Sequence, residues 1–313
     1  MPKLLEYTDK TRVRPQIVRL QNKIQKILNG FEYFFALEAQ KLENDNVKSI
    51  LNQPYNWYCM PCGSGPCVEE DKVATFYLSL GRRKVFRYMK GGEWEPIEDI
   101  KIYLSPDTLV YAELVYEAKR TGKYFSKTRA LHILDAYMLG GVDVSKRYLD
   151  DRYKLTKLFC ESLQKSVPND YICVRAKERF MLNPDIGKNL RVAQRRVEMP
   201  IAFESRESLL ERDDKNDKEP IYFAYNSVLF LKSITQPWSR HISKKTDEFY
   251  VYNSITKVAE YEIRNNQHNR PPEAEADFKE AFEKRIIWDW PGSQNLALNM
   301  DTLVAMINSS QNV

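Results

Sequence analysis

The chain has 313 residues, of which 48 are basic and 43 acidic, so its net charge is +5. This small excess falls short of what a non-specific nucleic-acid binder carries, and no apolar run approaches the ~20 residues of a membrane span, so we expect no membrane partner. Five cysteines, an odd number, favour a reducing compartment over a disulfide scaffold, and three histidines limit histidine-based chemistry.

The N-terminal part changes from a helical pattern to a turn-rich one. Residues 12–42 carry apolar side chains at three- and four-residue spacing and predict a helix, whereas prolines and glycines in residues 44–71 predict a loop. Cys59, Cys62 and Cys67 lie in this loop. A Cys-x-x-Cys pair in a Gly/Pro turn is typical of zinc knuckles, because the turn points both thiolates at one ion. A turn with unpaired thiols is the alternative.

A β-meander follows. Residues 73–80, 84–89 and 93–97 alternate in polarity like three strands, and the first connection between them is basic. The basic residues of this turn are Arg82, Arg83, Lys84 and Arg87. They form either a solvated hairpin tip or an anion site.

Two strongly β segments form the centre of the sequence. Residues 108–117 and 130–139 predict neighbouring strands joined by a polar loop over 118–127. Each strand contains one carboxylate within an apolar run, Glu113 in the first and Asp135 in the second. A buried carboxylate is costly unless something pairs with it, so the two indicate either an acid site or structural ion pairs.

The second half alternates between helix, strand and charged loop. Residues 143–165 predict an amphipathic helix, residues 204–219 a charged exposed loop, and residues 249–253 and 258–263 two short strands. Asp301 predicts the N-cap of a short final helix. A second basic cluster, Arg191, Arg195 and Arg196, is a further candidate for phosphate contacts, since guanidinium groups suit phosphate.

The central strands resemble two motifs of the nucleotidyltransferases, the class of mRNA guanylyltransferases and ligases. Thr-Leu-Val-Tyr-Ala-Glu-Leu-Val at 108–115 resembles their Asp-Gly-Glu strand, and residues 131–141 resemble their next motif, an apolar strand ending in Asp before a Gly turn. Tyr111 and Ala112 replace the family's Asp-Gly, whereas Glu113 and Asp135 are kept. The resemblance implies an α+β fold with antiparallel sheets, flanking helices and a degenerate cleft. No Lys-x-Asp-Gly occurs, so covalent nucleotide transfer lacks its nucleophile.

Residues 236–265 resemble a WW domain, a small all-β module that grips proline peptides between aromatic rings. The matches are Trp238 for the structural Trp, Tyr250 and Asn253 for the Tyr and Asn of Tyr-Tyr-x-Asn, and Thr256 for a later Thr. Val251 falls at the groove Tyr, and Tyr261 falls at the second Trp. The module is therefore either a packing unit or a peptide binder with an altered groove.

These two modules in this order resemble the C-terminal part of the animal nuclear cap ribose 2′-O-methyltransferases. The resemblance implies four regions: a linker helix region over 1–45 that follows a methyltransferase domain, a guanylyltransferase-like domain over 46–235, a WW-like module over 236–265, and a C-terminal linker and closing segment over 266–313.

The resemblance also implies a function. This region would be a non-catalytic recruitment and scaffold part of a nuclear protein. Its partners would be the phosphorylated C-terminal repeat of RNA polymerase II, capped RNA and the protein's own methyltransferase domain. S-adenosylmethionine would bind to that domain and not here, because no Gly-rich strand-turn-helix occurs. Two alternatives stay open: a residual nucleotidyltransferase that uses another lysine, and a zinc-stabilised nucleic-acid-binding module.

Overall fold

A computed structural model of the chain describes residues 32–63, 74–81, 84–121, 124–164, 170–182, 203–204, 221–223, 227–264, 267–268 and 270–289, with the single positions 22, 25, 26, 305 and 309. Within these residues no helix combines the length and the apolar composition needed to cross a membrane.

Strands dominate the described part of the chain. The helices are α1 (Asn44–Leu51), α2 (Leu149–Gln164) and α3 (Phe278–Glu283), with 3-10 turns at Glu32–Ala36, Pro54–Asn56 and Pro272–Ala274. The strands are β1 (Gln40–Lys41), β2 (Trp57–Cys62), β3 (Thr75–Ser79), β4 (Val85–Tyr88), β5 (Trp94–Pro96), β6 (Thr108–Thr121), β7 (Tyr124–Leu139), β8 (Val142–Asp143), β9 (Cys173–Ala176), β10 (Phe180–Met181), β11 (Phe203–Glu204), β12 (Ile221–Phe223), β13 (Ser227–Lys232), β14 (Trp238–Ile242), β15 (Phe249–Asn253), β16 (Ala259–Tyr261), β17 (Ile263–Arg264), β18 (Gln267–His268) and β19 (Ile286–Asp289). This content agrees with the predicted α+β class.

The antiparallel hairpin of β6 and β7 organises the larger sheet. On one side, β6 pairs with β3 near its start and with β12 near its end, while β7 pairs with β8 and, in parallel, with β9. β-branched and aromatic residues fill both strands, as is usual for a half-buried pleated surface. The predicted meander is confirmed as β3, β4 and β5.

A second sheet has the strand order β1, β19, β13, β2, β10 within the described residues. Every residue of β13 is buried, as expected for a strand with neighbours on both sides. β19 pairs antiparallel with β13 and parallel with β1. The strands β1 and β19 lie outside the range 46–235, so this sheet includes segments that the sequence assigns to the flanking regions.

One aromatic core joins the two sheets. It contains Met60 and Leu229 from the second sheet, Phe76 from the first, and Phe278 and Phe282 from α3. The rings of Phe76 and Phe282 are 5.0 Å apart between centroids. Asp277 caps α3 by accepting a hydrogen bond from the backbone N–H of Glu280 at 3.0 Å. The cap fixes the start of the helix whose rings fill this core.

Helix α2 covers the other face of the β6–β7 hairpin. Its buried residues recur at three- and four-residue spacing, from Leu149 and Arg152 to Cys160 and Leu163, which is the stripe of an amphipathic helix. Acidic residues in its first turn complement the helix dipole. The helix was predicted at 143–165, and the structure confirms it with a later start.

Three local predictions were wrong. Glu32–Ala36 is a 3-10 turn and Gln40–Lys41 a strand, so the helix predicted over 12–42 does not extend through its last ten residues. The loop predicted over 44–71 contains α1 and β2, because strand pairing with β13 overrides the local Pro and Gly signals. The polar loop predicted over 118–127 consists of strand wherever the structure describes it, since β6 and β7 stay paired up to Thr121 and Tyr124.

Candidate functional site

The structure brings three of the four predicted cleft residues to one face of the central hairpin. Tyr111 is the register partner of Asp135, and Glu113 lies two residues further along the same strand. Ala112 belongs to the opposite face, where it joins the core beneath α2. Adjacent residues of a strand point to opposite faces, so the predicted Tyr-Ala-Glu set cannot converge as a unit.

Aromatic rings pack around Tyr111. Its ring centroid lies 5.0 Å from that of Phe282 and 5.4 Å from that of Phe76, and the Arg285 guanidinium lies 5.4 Å from it. Only 6% of Tyr111 is exposed. Burial raises the pKa of its hydroxyl, against the charge of Arg285. The space beside this strand position is therefore occupied by side chains from the C-terminal helix.

Glu113 is buried and paired with a lysine that the sequence did not single out. The ammonium Nζ of Lys177 lies 2.7 Å from Oε1 of Glu113 and 3.1 Å from Nδ1 of His132. The same ammonium sits 3.7 Å from the centroid of the Phe223 ring. Lys177 follows β9, sixty-four residues after its partner. A lone lysine after a short strand gives no sequence signal for this pairing.

The network continues through His132 to a second glutamate. The Nε2 atom of His132 lies 2.8 Å from Glu117, which also accepts a hydrogen bond from Nε of Arg175 at 2.7 Å. Burial lowers the pKa of His132, and the charge of Lys177 lowers it further. Burial opposes ionisation of Glu117, but the hydrogen bonds from His132 and Arg175 and the charge of Arg175 prevail and lower its pKa to about 2. A neutral imidazole that accepts from Lys177 and donates to Glu117 satisfies both contacts.

Asp135 is held by an arginine of α2. Both oxygens of Asp135 accept from Arg152, at 2.8 Å from Nε and 2.8 Å from Nη2, and Arg152 is fully buried. Arg152 also donates to the carbonyl of Arg147 at 2.7 Å and lies over the Phe278 ring. A bidentate arginine fork is the strongest geometry for such a pair.

Both carboxylates therefore act as structural ion pairs. Each is buried and balanced by a cation with hydrogen-bond geometry, as burial of a charge requires. Removing one partner would leave an uncompensated buried charge. The arrangement fixes α2 and the end of β9 to the hairpin, which is a packing role.

The alternative of a residual nucleotidyltransferase needs an accessible amine near Glu113. Lys177 has the right neighbour, but its side chain is 1% exposed and its Nζ is paired with Glu113 at 2.7 Å. An amine must lose its proton and reach the α-phosphorus before it can attack. The geometry therefore favours the structural interpretation.

The two cysteines of the Cys-x-x-Cys pair lie in a strand and not in the turn that the zinc alternative requires. Cys59 and Cys62 lie in β2, three residues apart, so they point to opposite faces of the sheet. Both are buried, and burial raises the pKa of each thiol. Cys67 lies outside the described residues. Within the residues that the structure describes, no group of three His, Cys, Asp or Glu side chains is placed to hold a metal ion.

The structure describes only two of the basic residues that are candidates for phosphate contacts. Lys84 is exposed, and Arg87 forms a salt bridge with Glu95 at 2.8 Å, which reduces its capacity for phosphate. The positions Arg82, Arg83, Arg191, Arg195 and Arg196 lie outside the described residues.

The segment predicted as a WW-like module is a three-stranded antiparallel sheet of β14, β15 and β16. Trp238 is 5% exposed and shares a small core with Ile234, Val251 and Ala274. The side-chain oxygen of Asn253 accepts from the backbone N–H of Ile255 at 2.9 Å and of Thr256 at 3.0 Å, which fixes the turn after β15. Trp238 and Asn253 thus have structural roles.

One face of this sheet packs against Trp238, and the other carries aromatic side chains. Val251, which the sequence puts at the position of the groove Tyr, is fully buried on the Trp238 face. Tyr250 pairs with His241 on one side and Tyr261 on the other, with ring centroids 5.5 Å and 5.9 Å apart. Tyr252 follows on the same face, 6.4 Å from His241. We call His241, Tyr250, Tyr252 and Tyr261 the aromatic face.

Buried polar contacts fasten this sheet to the rest of the protein. The backbone N–H of Arg240 donates to the side chain of Asn56 at 2.7 Å, and its guanidinium donates to Glu262 at 2.5 Å and to the Tyr55 carbonyl at 3.1 Å. Arg270 connects Glu262 to Asp150 at the start of α2. The aromatic face is therefore presented on a fixed support.

Comparison with known proteins gives one consistent result. The chain is similar to proteins named cap-specific mRNA (nucleoside-2'-O-)-methyltransferase 1: 29% identity to that of Xenopus laevis over 92% of the chain, 26% to that of Homo sapiens over 90%, and 25% to that of Drosophila melanogaster over 90%. The matches cover 32%, 31% and 35% of these relatives, so the chain spans about a third of their length, namely their C-terminal part. No protein-family model matches the chain.

Proposed function

We propose that this chain, a homologue of the C-terminal third of the cap-specific mRNA (nucleoside-2'-O-)-methyltransferases 1, is a non-catalytic recruitment and scaffold region that acts in mRNA capping. The observation that carries the proposal is the contrast between two sites. The positions that resemble a nucleotidyltransferase cleft are occupied by ion pairs and packed rings, whereas the three-stranded sheet presents aromatic side chains outward. Methylation and S-adenosylmethionine binding then belong to the other part of the protein.

The partner that we propose for the aromatic face is the phosphorylated C-terminal repeat of RNA polymerase II. Flat rings suit an extended proline-containing peptide, because they stack on a preformed chain. Tyr261 is 42% exposed, and its hydroxyl lies 3.5 Å from Oγ of Ser243. Ser243 is followed by Lys244 and Lys245, both exposed in the β14–β15 turn. These two lysines, which share the turn with the exposed Asp247 and Glu248, are the cations that we propose to contact phosphate on the peptide.

A binding titration tests the proposal. We expect the 313-residue chain to bind serine-phosphorylated repeat peptides at micromolar concentration and unphosphorylated ones more weakly. Tyr250→Ala should lower the affinity at least about tenfold, since truncation of an aromatic anchor typically costs 1.4 kcal/mol or more. The matched control is Tyr116→Ala, which removes an exposed tyrosine from another sheet. No binding by the chain, or an equal loss in the control, would contradict the proposal.

Nuclear action and contact with the protein's own methyltransferase domain complete this proposal. The mRNA-directed activity in the names of the relatives supports nuclear action, and neither part of this proposal depends on a particular side chain of the aromatic face.

Residual nucleotidyl transfer is the second candidate, supported by the contact between Lys177 and Glu113. Incubation with labelled GTP or ATP and a divalent metal decides it. We expect no covalent adduct, because the amine is buried and paired. An adduct that disappears in Lys177→Met would revive this candidate.

A further inference from the structure

One edge of the three-stranded sheet is open. Its strand order is β14, β15, β16, and in the part of the chain that the structure describes β16 pairs only with β15. All three residues of β16, Ala259, Glu260 and Tyr261, are exposed. The opposite edge, β14, instead contacts the 3-10 turn at Pro54–Asn56. An exposed edge strand offers its unpaired peptide groups to a further strand.

The hydrogen bonds between β15 and β16 show which peptide groups of the edge face outward. The N–H of Asn253 donates to the carbonyl of Val258 at 2.9 Å, and the N–H of Glu262 donates to the carbonyl at the start of β15 at 2.9 Å. Antiparallel strands alternate between hydrogen-bonded and non-hydrogen-bonded residue pairs. Every second residue from Val258 to Glu262 therefore bonds to β15, whereas the N–H and C=O groups of Ala259 and Tyr261 point away from the sheet.

Exposed apolar side chains concentrate beside this edge. Of the eight large apolar side chains that are exposed among the described residues, four lie between positions 255 and 263. They are Ile255, Val258, Tyr261 and Ile263, which are 42–74% exposed. Exposed apolar groups next to unpaired strand groups are typical of a protein-binding surface, because a partner strand covers both at once.

The charge of Glu260 determines which strand fits the edge. Glu260 is the middle residue of β16, lies opposite Val251 and is exposed. Two copies of β16 paired antiparallel about this residue would place two Glu260 carboxylates opposite each other, which is unfavourable. A lysine or arginine at the opposite position is favourable. The edge therefore suits a foreign strand with a central basic residue better than a second copy of this chain.

We propose that β16 accepts an extended peptide segment of another protein as an antiparallel fourth strand, with a basic residue opposite Glu260 and apolar residues on either side of it. Ala259 and Tyr261 each supply one N–H donor and one C=O acceptor to this strand. The added strand lies at the edge of the sheet and requires no phosphate. The inference is therefore independent of the phosphopeptide that we assign to the aromatic face.

An NMR titration with a designed strand peptide tests this proposal in the full chain. The probe is Thr-Val-Lys-Val-Thr with both ends blocked, which places its lysine opposite Glu260 and its valines opposite Ala259 and Tyr261. We expect the amide signals of Ala259 and Tyr261 to shift and their hydrogen exchange to slow, because their N–H groups gain acceptors. A second probe with glutamate in place of the lysine should bind about fivefold more weakly, since like charges then face each other.

Removal of single N–H groups distinguishes main-chain pairing from apolar contact. N-methylation of both valines of the probe blocks the N–H groups that face β16 and should weaken binding at least about tenfold. N-methylation of the lysine blocks an N–H that points away, so it should have little effect. Ala259→Pro should weaken binding similarly, and the sheet should tolerate it because the lost N–H makes no bond within the sheet. The methylated probes test the pairing without altering the protein.

Reversal of the edge charge tests the role of Glu260. Glu260→Lys should make the glutamate probe bind better than the lysine probe, because the attractive and repulsive pairs exchange places. The matched control is Glu161→Lys, which reverses an exposed charge on α2 and should leave both affinities unchanged.

Three results would overturn the proposal. They are absence of probe binding by the unaltered chain, equal binding of the probe whose valines are N-methylated, and a dimer of the unaltered chain that Ala259→Pro abolishes in sedimentation. The dimer would mean that the edge pairs with a second copy. Failure of phosphopeptide binding alone would overturn the proposed function and leave the edge proposal standing.

Discussion

At the scale of single residues, the two buried carboxylates determine how the centre of the protein is held together. Glu113 and Asp135 each have one basic partner within 2.8 Å, and all four side chains are buried. A paired interior charge contributes little net stability, but loss of one partner is severe, because the other charge stays buried.

Lys177→Met should therefore destabilise the protein by about 3–5 kcal/mol in urea unfolding. The double variant Glu113→Gln with Lys177→Met should recover part of this loss, since it buries no unpaired charge. Lys154→Met, on the exposed side of α2, is the control and should change stability by less than about 0.5 kcal/mol. Equal stability of Lys177→Met and the control would show that the pair does not hold the hairpin.

The sequence leaves open whether the two carboxylates form an acid site or ion pairs, and it does not identify their partners. A carboxylate within an apolar strand needs a partner, and this requirement is why the sequence singles out Glu113 and Asp135. Arg152 lies seventeen residues after Asp135 and Lys177 sixty-four after Glu113, on elements that only the fold brings close. The burial of Val251 has a related explanation. A motif gives the order of residues, whereas burial depends on which face of the strand packs against the rest of the protein.

At the scale of elements, one set of side-chain contacts connects three strands and includes two titratable groups. Glu117 on β6, His132 on β7 and Arg175 on β9 form a continuous set of contacts. We therefore expect this part of the sheet to respond to acid.

The lowered pKa values of Glu117 and His132 determine whether acid stabilises or destabilises the fold. Glu117 titrates at about 2 in the folded protein against an ordinary 4.5, so its carboxylate stabilises the fold above pH 4.5 by about 3 kcal/mol and loses this between pH 4.5 and 2. The pKa of His132 is also lowered, so its neutral form stabilises the fold above pH 6.5, and that contribution falls as the pH drops below 6.5. We expect the free energy of unfolding to decrease from pH 6.5 to 2 in urea titrations.

Glu117→Gln separates the two contributions. It should flatten the curve between pH 4.5 and 2, because the glutamine does not titrate there. A curve that keeps its full acid slope in this variant would assign the effect to other groups.

Strand patterns were predicted better than strand lengths. The meander and the cores of β6 and β7 follow from alternating and β-branched residues, whose signals are local. The extension of both strands to Thr121 and Tyr124 arises from cross-strand pairing, and short-range polarity alone suggests a loop there.

At the scale of the whole molecule, the C-terminal segment with α3 and β19 is an integral part of the folded core. β19 lies between β1 and β13, and Phe278 and Phe282 fill the core between the sheets. No local pattern predicts this, because the pairing of Gln40 with Ile286 joins residues that are distant in sequence.

A chain that ends at residue 276 should fail to fold cooperatively. It lacks both α3 and β19, which exposes the aromatic core and an unpaired edge of β13. Circular dichroism during heating measures this, with Phe282→Ala as a milder variant expected to cost about 3–5 kcal/mol and Lys284→Ala as its exposed control. A sharp transition in the truncated chain would mean that the C-terminal segment is dispensable.

The position of β19 between β1 and β13 also constrains biosynthesis. A growing polypeptide that has β1, β2 and β13 outside the ribosome still lacks the strand that must pair with two of them. The second sheet can therefore close only after translation has passed residue 289, and until then β13 keeps an open edge. Ribosome-bound intermediates of this protein should consequently depend on chaperones that shield exposed strands, more than a domain assembled from sequential hairpins would.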